Sequence, residues 1–207
     1  MKYLLGIVLL LFISCGNNEE VLLPKADRTI VKEVIDLSPI YIFFKVNGKD
    51  TLADVNRKNS ISTTNWILNI DKRLPLRLVI PEVMKLQEKK REASMHKNEA
   101  AENYYSYADS IGKNLAFIPF TNVYYKTKKP ASGIIIYFTK GDSVFVNNIS
   151  VKKTDLAVYL KNITNDSPNK FLISFDKNSS YGNYIQNKIF IQGLEGISFD
   201  KNQEFIF

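Results

Sequence analysis

The chain has 207 residues, of which 45% are hydrophobic and 12% aromatic, a composition that is typical of a globular protein and excludes an intrinsically disordered one. Its 28 lysines and arginines exceed its 21 acidic residues and give a net charge of +7. The alternatives are an ordinary solvated surface and one that binds anionic envelope polymers or headgroups, and the scatter of the basic residues among the acids favours the ordinary surface. Because the chain contains one cysteine, no disulfide can form within it, and burial alone must stabilise the core.

The first residues combine a positive start, Met1-Lys2, with an apolar run at 3–13, and small residues and Cys15 follow. The run is shorter than the roughly 20 residues that a membrane-spanning helix needs, so it predicts a signal-peptide core. Phe12-Ile13-Ser14-Cys15 resembles the lipobox of bacterial lipoproteins. The resemblance implies cleavage before Cys15, acylation of Cys15 and a lipid-anchored location in a Gram-negative envelope, with the outer membrane favoured. The alternatives are a secretory leader with an incidental cysteine and an uncleaved anchor.

Two segments without strong hydrophobic periodicity divide the rest of the chain. Residues 16–29 are polar, then mixed, and contain Pro24, which predicts a tether. Residues 126–132 combine a charge run with proline and small residues between two strand-like stretches, which predicts a linker. The resulting divisions are a signal peptide at 1–14, an acylated tether at 15–29, a first domain at 30–125, the linker at 126–132 and a second domain at 133–207.

In the first domain, the Asp71-Lys72 pair follows an apolar stretch at 66–70 and precedes a helical pattern. A similar pair, Asp176-Lys177, occupies the same place in the second domain, and the gapless register also matches Ile80 with Ile185. Residues 115–117 then match 197–199. We interpret the first domain as a diverged copy of the second, with the hairpin or the first helix trimmed; chance similarity between two βαβ-like pieces is the alternative.

The first domain also carries a charged stretch, residues 86–102, that is rich in helix formers and poor in apolar residues. This composition predicts an exposed helical arm, which is either a solvated face or a partner-binding element. Tyr104, Tyr105 and Tyr107 follow the arm. They either pack one face of an element or form an aromatic platform for a sugar.

The second domain has a clearer pattern, which predicts the order β-β-α-β-α-β. A β-branched and aromatic run at 134–138 and a second one at 144–146 flank a turn. Thr154 and Asp155 suit the start of a helix, 171–175 forms a third strand, and a second helix runs from Tyr181 to Gly193 before a final strand or two.

The residue types give no catalytic, metal or cofactor site. His96 is the only histidine and lies in the charged arm, so neither a nucleophile triad nor a histidine-based metal cluster is available. No glycine-rich phosphate loop is present. Carboxylates that only the fold brings together stay possible. Asp71 and Asp176 have a structural explanation, because each ends a strand and can accept backbone hydrogen bonds from the next loop.

The second domain resembles the periplasmic domain of the ExbD/TolR family. The resemblance lies in the ordered segments 137–148, 151–160, 171–177 and Tyr181-Gly182. It implies a soluble domain that tends to dimerise and that contacts TonB-like proteins or peptidoglycan within proton-driven motors. The family's membrane helix carries an aspartate for proton passage. The only apolar run of this chain, its leader, has no acidic residue, which argues against motor activity.

These observations predict an α+β protein of small mixed sheets with two helices each, ExbD/TolR-like and built from two tandem units. We expect a non-enzymatic envelope lipoprotein that binds a TonB/Tol-type protein, a second copy of itself or a cell-wall polymer, with no nucleic acid, metal or cofactor. Strand addition at an exposed edge formed by Glu204, Phe205, Ile206 and Phe207 is the predicted mode of contact. The alternative function is an envelope hydrolase that acts on peptidoglycan or another glycan.

Overall fold

The computed structural model describes residues 20–92, 98–164 and 171–207. Cys15 and His96, which the sequence analysis singled out, lie outside these residues. Over the described residues the chain folds as α+β, with two six-stranded sheets and three α-helices.

The first sheet contains an antiparallel hairpin and a set of parallel strands. Its members are β1 (Lys25–Ala26), β2 (Leu37–Asn47), β3 (Asp50–Asn56), β4 (Asn65–Ile70), β5 (Asn103–Asp109) and β6 (Asn114–Pro119). β2 and β3 form the hairpin, β4 lies parallel to both β2 and β5, and β1 is also parallel to β5. β6 pairs with β5 in the antiparallel direction.

The second sheet has the order β10-β9-β8-β11-β12-β7. Its members are β7 (Tyr124–Lys126), β8 (Ile134–Phe138), β9 (Val144–Val146), β10 (Ile149–Val151), β11 (Phe171–Phe175) and β12 (Phe199–Ile206). β8, β9 and β10 are antiparallel neighbours, whereas β8, β11, β12 and β7 run parallel.

The helices are α1 (Leu76–Glu92), α2 (Leu156–Thr164) and α3 (Tyr181–Gln192). Ser180 is the N-cap of α3, and its hydroxyl accepts a hydrogen bond from the Asn183 N–H. α1 and α3 contact each other, α1 also contacts β12 and β7, and α3 contacts β1. Buried side chains from both sheets and from these helices belong to one hydrophobic core. We call the first sheet with α1 the first half and the second sheet with α2 and α3 the second half.

The two halves share a strand order. In each half, the first strand of a hairpin is parallel to a strand that leads into a helix. The strand after the helix is parallel to the strand before the helix. The order is β2-β3-β4-α1-β5 in the first half and β8-β9-β11-α3-β12 in the second. The halves differ between the hairpin and the next strand, where turns at 57–64 take the place of β10 and α2.

The loop before α1 caps the start of α3, and the loop before α3 caps the start of α1. Backbone N–H groups at the start of α1 donate to carbonyls of the loop before α3, and the reverse pair of bonds is also made. The four bonds are Leu76 to Ser179 at 2.9 Å, Arg77 to Lys177 at 2.7 Å, Tyr181 to Leu74 at 2.7 Å and Gly182 to Lys72 at 3.0 Å. Corresponding residues differ by 105 in number, the same offset as that between Asp71 and Asp176. An antiparallel bridge between Pro75 and Ser180 lies at the centre of this arrangement.

One expectation for the first half is wrong, and another holds only in part. Residues 115–117 do not correspond to 197–199, because they lie in β6, whereas the counterpart of β12 is β5. The exposed arm holds in part: α1 continues to Glu92, and eight of the twelve described residues of 86–102 are exposed, but Leu86, Gln87 and Lys90 are buried. These three residues continue the buried stripe of α1, which the charged composition of the arm did not indicate.

Asp71 directly follows β4 and has a fully buried carboxylate. Its oxygens accept hydrogen bonds from the Leu22 N–H at 3.2 Å, the Arg73 N–H at 3.0 Å and the Arg73 guanidinium at 2.9 and 2.7 Å. Burial raises the pKa of this carboxyl, but the hydrogen bonds from Arg73 and Leu22 outweigh burial and hold the pKa below its usual value. The carboxylate therefore ties the incoming chain at Leu22 to the loop that caps α3.

We expect Asp71→Asn to lower the free energy of unfolding at pH 7 by about 2 kcal/mol, because an amide cannot satisfy the same set of donors. The folded-state pKa is depressed, so the carboxylate's contribution is present above the unfolded pKa of about 4 and is lost as the pH falls through the folded pKa. Urea unfolding between pH 7 and pH 2 should therefore show a difference from wild type that shrinks in acid. Asp176→Asn is the matched control, since that carboxylate accepts the Asn178 N–H in the corresponding loop. Equal losses in the two variants, or a difference that does not change with pH, would contradict this role.

Candidate functional site

The predicted strand-addition edge is not free. β12 lies between β11 and β7, and Gln203, Glu204 and Phe205 pair with Tyr124–Lys126. Glu204 and Ile206 are almost fully buried. The prediction is wrong for Glu204, Phe205 and Ile206, because β7, whose last residue is the first of the predicted linker, adds to the second sheet along this edge. Phe207 lies beyond the residues that pair with β7 and is half-buried.

The tyrosine cluster after α1 packs into the core. Tyr105 and Tyr107 are fully buried, and Tyr104 lies on the other face of β5, where its hydroxyl bonds to Glu102. Packing on one face of an element therefore accounts for Tyr105 and Tyr107. A sugar platform made of all three rings is wrong, because alternate residues of a strand point to opposite faces.

A chain of buried polar groups crosses the junction between the halves. The Tyr105 and Tyr125 hydroxyls are 2.6 Å apart, and the Tyr125 and Tyr184 hydroxyls are 3.2 Å apart. Tyr184 donates to Glu204 at 2.6 Å, and Glu204 forms a buried ion pair with Lys188. These residues belong to β5, β7, α3 and β12, so the network links the two sheets directly, between Tyr105 and Tyr125, and joins both to α3.

The network is built for hydrogen bonding within the core. Burial raises the pKa of Tyr105, Tyr125 and Tyr184 well above the usual value, and the nearby negative charge of Glu204 raises it further. The three hydroxyls therefore stay protonated and can act as donors. Because all five residues are buried, we assign the network a structural role rather than a site for substrate.

Lys90 is a second buried cation that the sequence analysis missed. Its ammonium donates to the carbonyls of Thr64 and Glu102, each at 3.0 Å, and to the Asn103 side-chain oxygen at 2.9 Å. Burial lowers the pKa of Lys90 to about 8. Three acceptors use its three N–H groups and join the starts of β4 and β5. The helical spacing from Leu86 to position 90 is the signal that could have shown its burial.

An aromatic surface lies on the face of the second sheet that points away from α3. Ile136 and Phe138 of β8 point into the core, so Ile135 and Tyr137 point to the opposite face. The sheet register places Phe145 beside Tyr137. The rings of Tyr137 and Phe207 are stacked, with centroids 5.2 Å apart and planes 22° apart.

Loops turn this surface into a groove of about 600 Å³. Its lining comprises Lys129, Gly133, Ile135, Tyr137, Phe145, Asn147, Asn148 and Phe207. Asn147 fixes one wall, because its side-chain oxygen accepts the Ile135 N–H at 2.9 Å. Gly133 has a φ of +105°, and a Cβ there would lie 2.9 Å from Leu172. Gly133, the residue after the predicted linker, therefore passes close over the sheet, and together with Lys129 of the linker it forms another wall of the groove.

The corresponding face of the first sheet is more closely covered. Tyr41 of β2 matches Tyr137 of β8, since each pairs in register with the strand that leads into a helix. On this face Ile67 and Phe117 are buried. Residues 31–36 run from the edge of β6, where Val31 and Phe117 exchange two hydrogen bonds, to Asn65 at the start of β4.

Within the described ranges, no group of histidine, cysteine, aspartate and glutamate side chains could hold a metal ion. The helices described are also too short or too polar to cross a membrane. Comparisons with protein-family models, with curated proteins and with solved structures give no match to this chain.

We expect Glu204→Gln to lower the free energy of unfolding by about 3–5 kcal/mol, because it leaves the Lys188 ammonium buried without its counter-ion. The double variant Glu204→Gln/Lys188→Met should lose less than the sum of the single losses, since it removes both charges. Urea unfolding measures both effects. Asp54→Asn is the control, because Asp54 pairs with Lys45 where both side chains are nearly half exposed, and it should cost less than about 1 kcal/mol. A Glu204→Gln loss as small as that of the control would show that the network contributes little.

Proposed function

We propose that this chain is a lipid-anchored, non-enzymatic binding protein of the bacterial envelope and that the groove of the second sheet is its binding site. The groove carries the proposal, because it joins stacked aromatic rings to two asparagine amides and a lysine in one concave surface. Aromatic faces contact sugar rings or apolar side chains, and amides give hydrogen bonds that orient a ligand. The ligand classes that fit are a cell-wall polymer and an extended segment of a TonB/Tol-type protein.

We also propose that the two halves are tandem ExbD/TolR-like units that form an intramolecular dimer. The shared strand order supports this idea, and so do the helix-capping bonds that repeat at an offset of 105 residues. The ExbD/TolR domain tends to dimerise. In this proposal the first half takes the place of a second subunit, so the chain has no need of a homodimer.

The hydrolase alternative has no observation in its favour. A glycoside hydrolase needs two carboxylates that face each other across a cavity. Among the described residues, those lining the groove include no acidic side chain, and those lining a second cavity beside α3 include Asp27 alone.

The anchor has a direct test. Mass analysis of the native protein, purified from its own membranes, should show an amino terminus at Cys15 that carries acyl chains. One acyl chain gives only marginal membrane binding, so we expect more than one. An intact leader, or an unmodified Cys15, would rule out the lipid anchor. The proposal that the groove is the binding site does not depend on this result.

For the groove, we expect Tyr137→Ser to weaken ligand binding about ten-fold, the equivalent of one aromatic contact of roughly 1–1.5 kcal/mol. The probes are purified peptidoglycan sacculi and a synthetic peptide from the periplasmic segment of a TonB/Tol-type protein, with binding measured by sedimentation and fluorescence anisotropy.

Tyr41→Ser is the matched control for this experiment. Tyr41 occupies the corresponding position in the first sheet and stacks on Phe43, with centroids 5.9 Å apart. Tyr41→Ser should lower the free energy of unfolding about as much as Tyr137→Ser does, and it should leave ligand binding unchanged. If both variants weaken binding equally, or if neither probe binds the wild-type protein, the groove is not the site for these ligands.

A further inference from the structure

A second cavity, of about 550 Å³, lies between α3 and residues 22–28, which we call the entering segment. We call it the cleft. It is lined by Lys25, Ala26, Asp27, Arg28, Ser110, Gln186, Ile189, Phe190, Gly193 and Leu194. The Gln186 side chain donates to the Lys25 carbonyl at 3.1 Å and thereby holds the entering segment along α3.

The cleft combines an apolar floor with cations at its rim. Phe190 and Leu194 are half-buried, whereas Lys25 and Arg28 are exposed. The Arg28 guanidinium lies against Gly193 at the end of α3, so close that a Cβ on Gly193 would come within 2.7 Å of it. The carbonyl end of a helix attracts a cation, which explains this position. Asp27 is the one acidic residue in the lining.

An exposed apolar tip stands beside the cleft. The Ser110 hydroxyl and N–H both donate to the Ala26 carbonyl at 2.8 Å, which holds the β5–β6 turn against the entering segment. The next residue, Ile111, is 72% exposed. Its own N–H bonds to the Asp109 carboxylate at 2.9 Å, so the turn presents Ile111 from a fixed backbone.

The entering segment also limits how far this surface can lie from a lipid anchor. Among the described residues, which start at position 20, Leu22 is the first whose N–H and carbonyl are both bonded to the folded body, to Asp71 and Lys72. Six residues lie between it and Cys15, and the seven residue-to-residue steps, at 3.3–3.6 Å each, reach at most about 25 Å. The segment beyond Leu22 then runs directly to the cleft.

We infer that Lys25, Arg28, Ile111, Phe190 and Leu194 form a membrane-docking flank. Its occupant is the surface of a bilayer that contains anionic phospholipids. The cations contact the headgroups, and Ile111 inserts its side chain between them. This inference rests on the proposed lipid anchor, because the short connection to Cys15 keeps the flank beside the bilayer.

The test uses the mature protein without its acyl chains, residues 15–207 with Cys15→Ser, so that binding reports the flank alone. Co-sedimentation should show binding to vesicles of equal parts phosphatidylglycerol and phosphatidylcholine, and much weaker binding to phosphatidylcholine alone. Arg28→Gln should weaken binding to the anionic vesicles about five-fold, the equivalent of roughly 1 kcal/mol for one cation at the surface. Ile111→Ser should weaken it by a similar factor, and added salt should weaken the wild type.

Arg57→Gln and Ile61→Ser are the matched controls. Arg57 and Ile61 are exposed residues that precede β4, whereas Ile111 follows β5. Because β4 and β5 are parallel, Arg57 and Ile61 lie at the end of the sheet opposite to Ile111. If the controls weaken binding as much as the flank variants, or if the wild type does not distinguish the two kinds of vesicle, the docking flank is overturned. Mass analysis of Cys15 tests the anchor separately, so failure of the flank and failure of the anchor are distinguishable.

Discussion

The start of each helix that follows an Asp-Lys loop depends on the opposite half of the chain. A helix begins with N–H groups that have no partner within it, and burying them without acceptors is costly. Here carbonyls at Lys72 and Leu74 serve α3, and carbonyls at Lys177 and Ser179 serve α1. Neither helix can therefore bury its first turn unless both loops are in place. This mutual dependence explains why the two sheets share one hydrophobic core and do not form two separate domains.

The polar network lies within the same core and limits how the halves can pack. An apolar contact between two sheets tolerates sliding, because the hydrophobic effect has no direction. The tyrosine hydroxyls and the Glu204–Lys188 pair are satisfied only when Tyr105 from the first half meets Tyr125 and Tyr184. A buried polar group without a partner costs about 1–3 kcal/mol, so a shifted packing would lose several such contacts. The network therefore favours one arrangement over its neighbours.

Local patterns predicted the elements of the second half well because each carries its own signal. The apolar runs of β8 and β11 are β-branched and aromatic, and Ser180 and Gly193 delimit α3. The predictions that failed concern contacts between segments that are distant in the sequence. Nothing near Glu204 indicates that Tyr124–Lys126 will cover its strand, and nothing near Lys90 indicates the acceptors at positions 64, 102 and 103. The groove has no local signal either, because alternate residues of separate strands, Lys129 of the linker and Gly133 build it.

The groove and the docking flank lie on opposite sides of the second sheet, which makes the two proposals compatible. α3 packs on the face of β11 that carries Phe175, and the entering segment lies along α3 beyond it. Tyr137 and Phe145 point from the other face. A protein that rests on a bilayer through the flank therefore directs the groove away from the lipid, toward polymers or proteins in the surrounding space. Because the connection to Cys15 is short, this orientation would follow from the docked flank and would not need a partner to impose it.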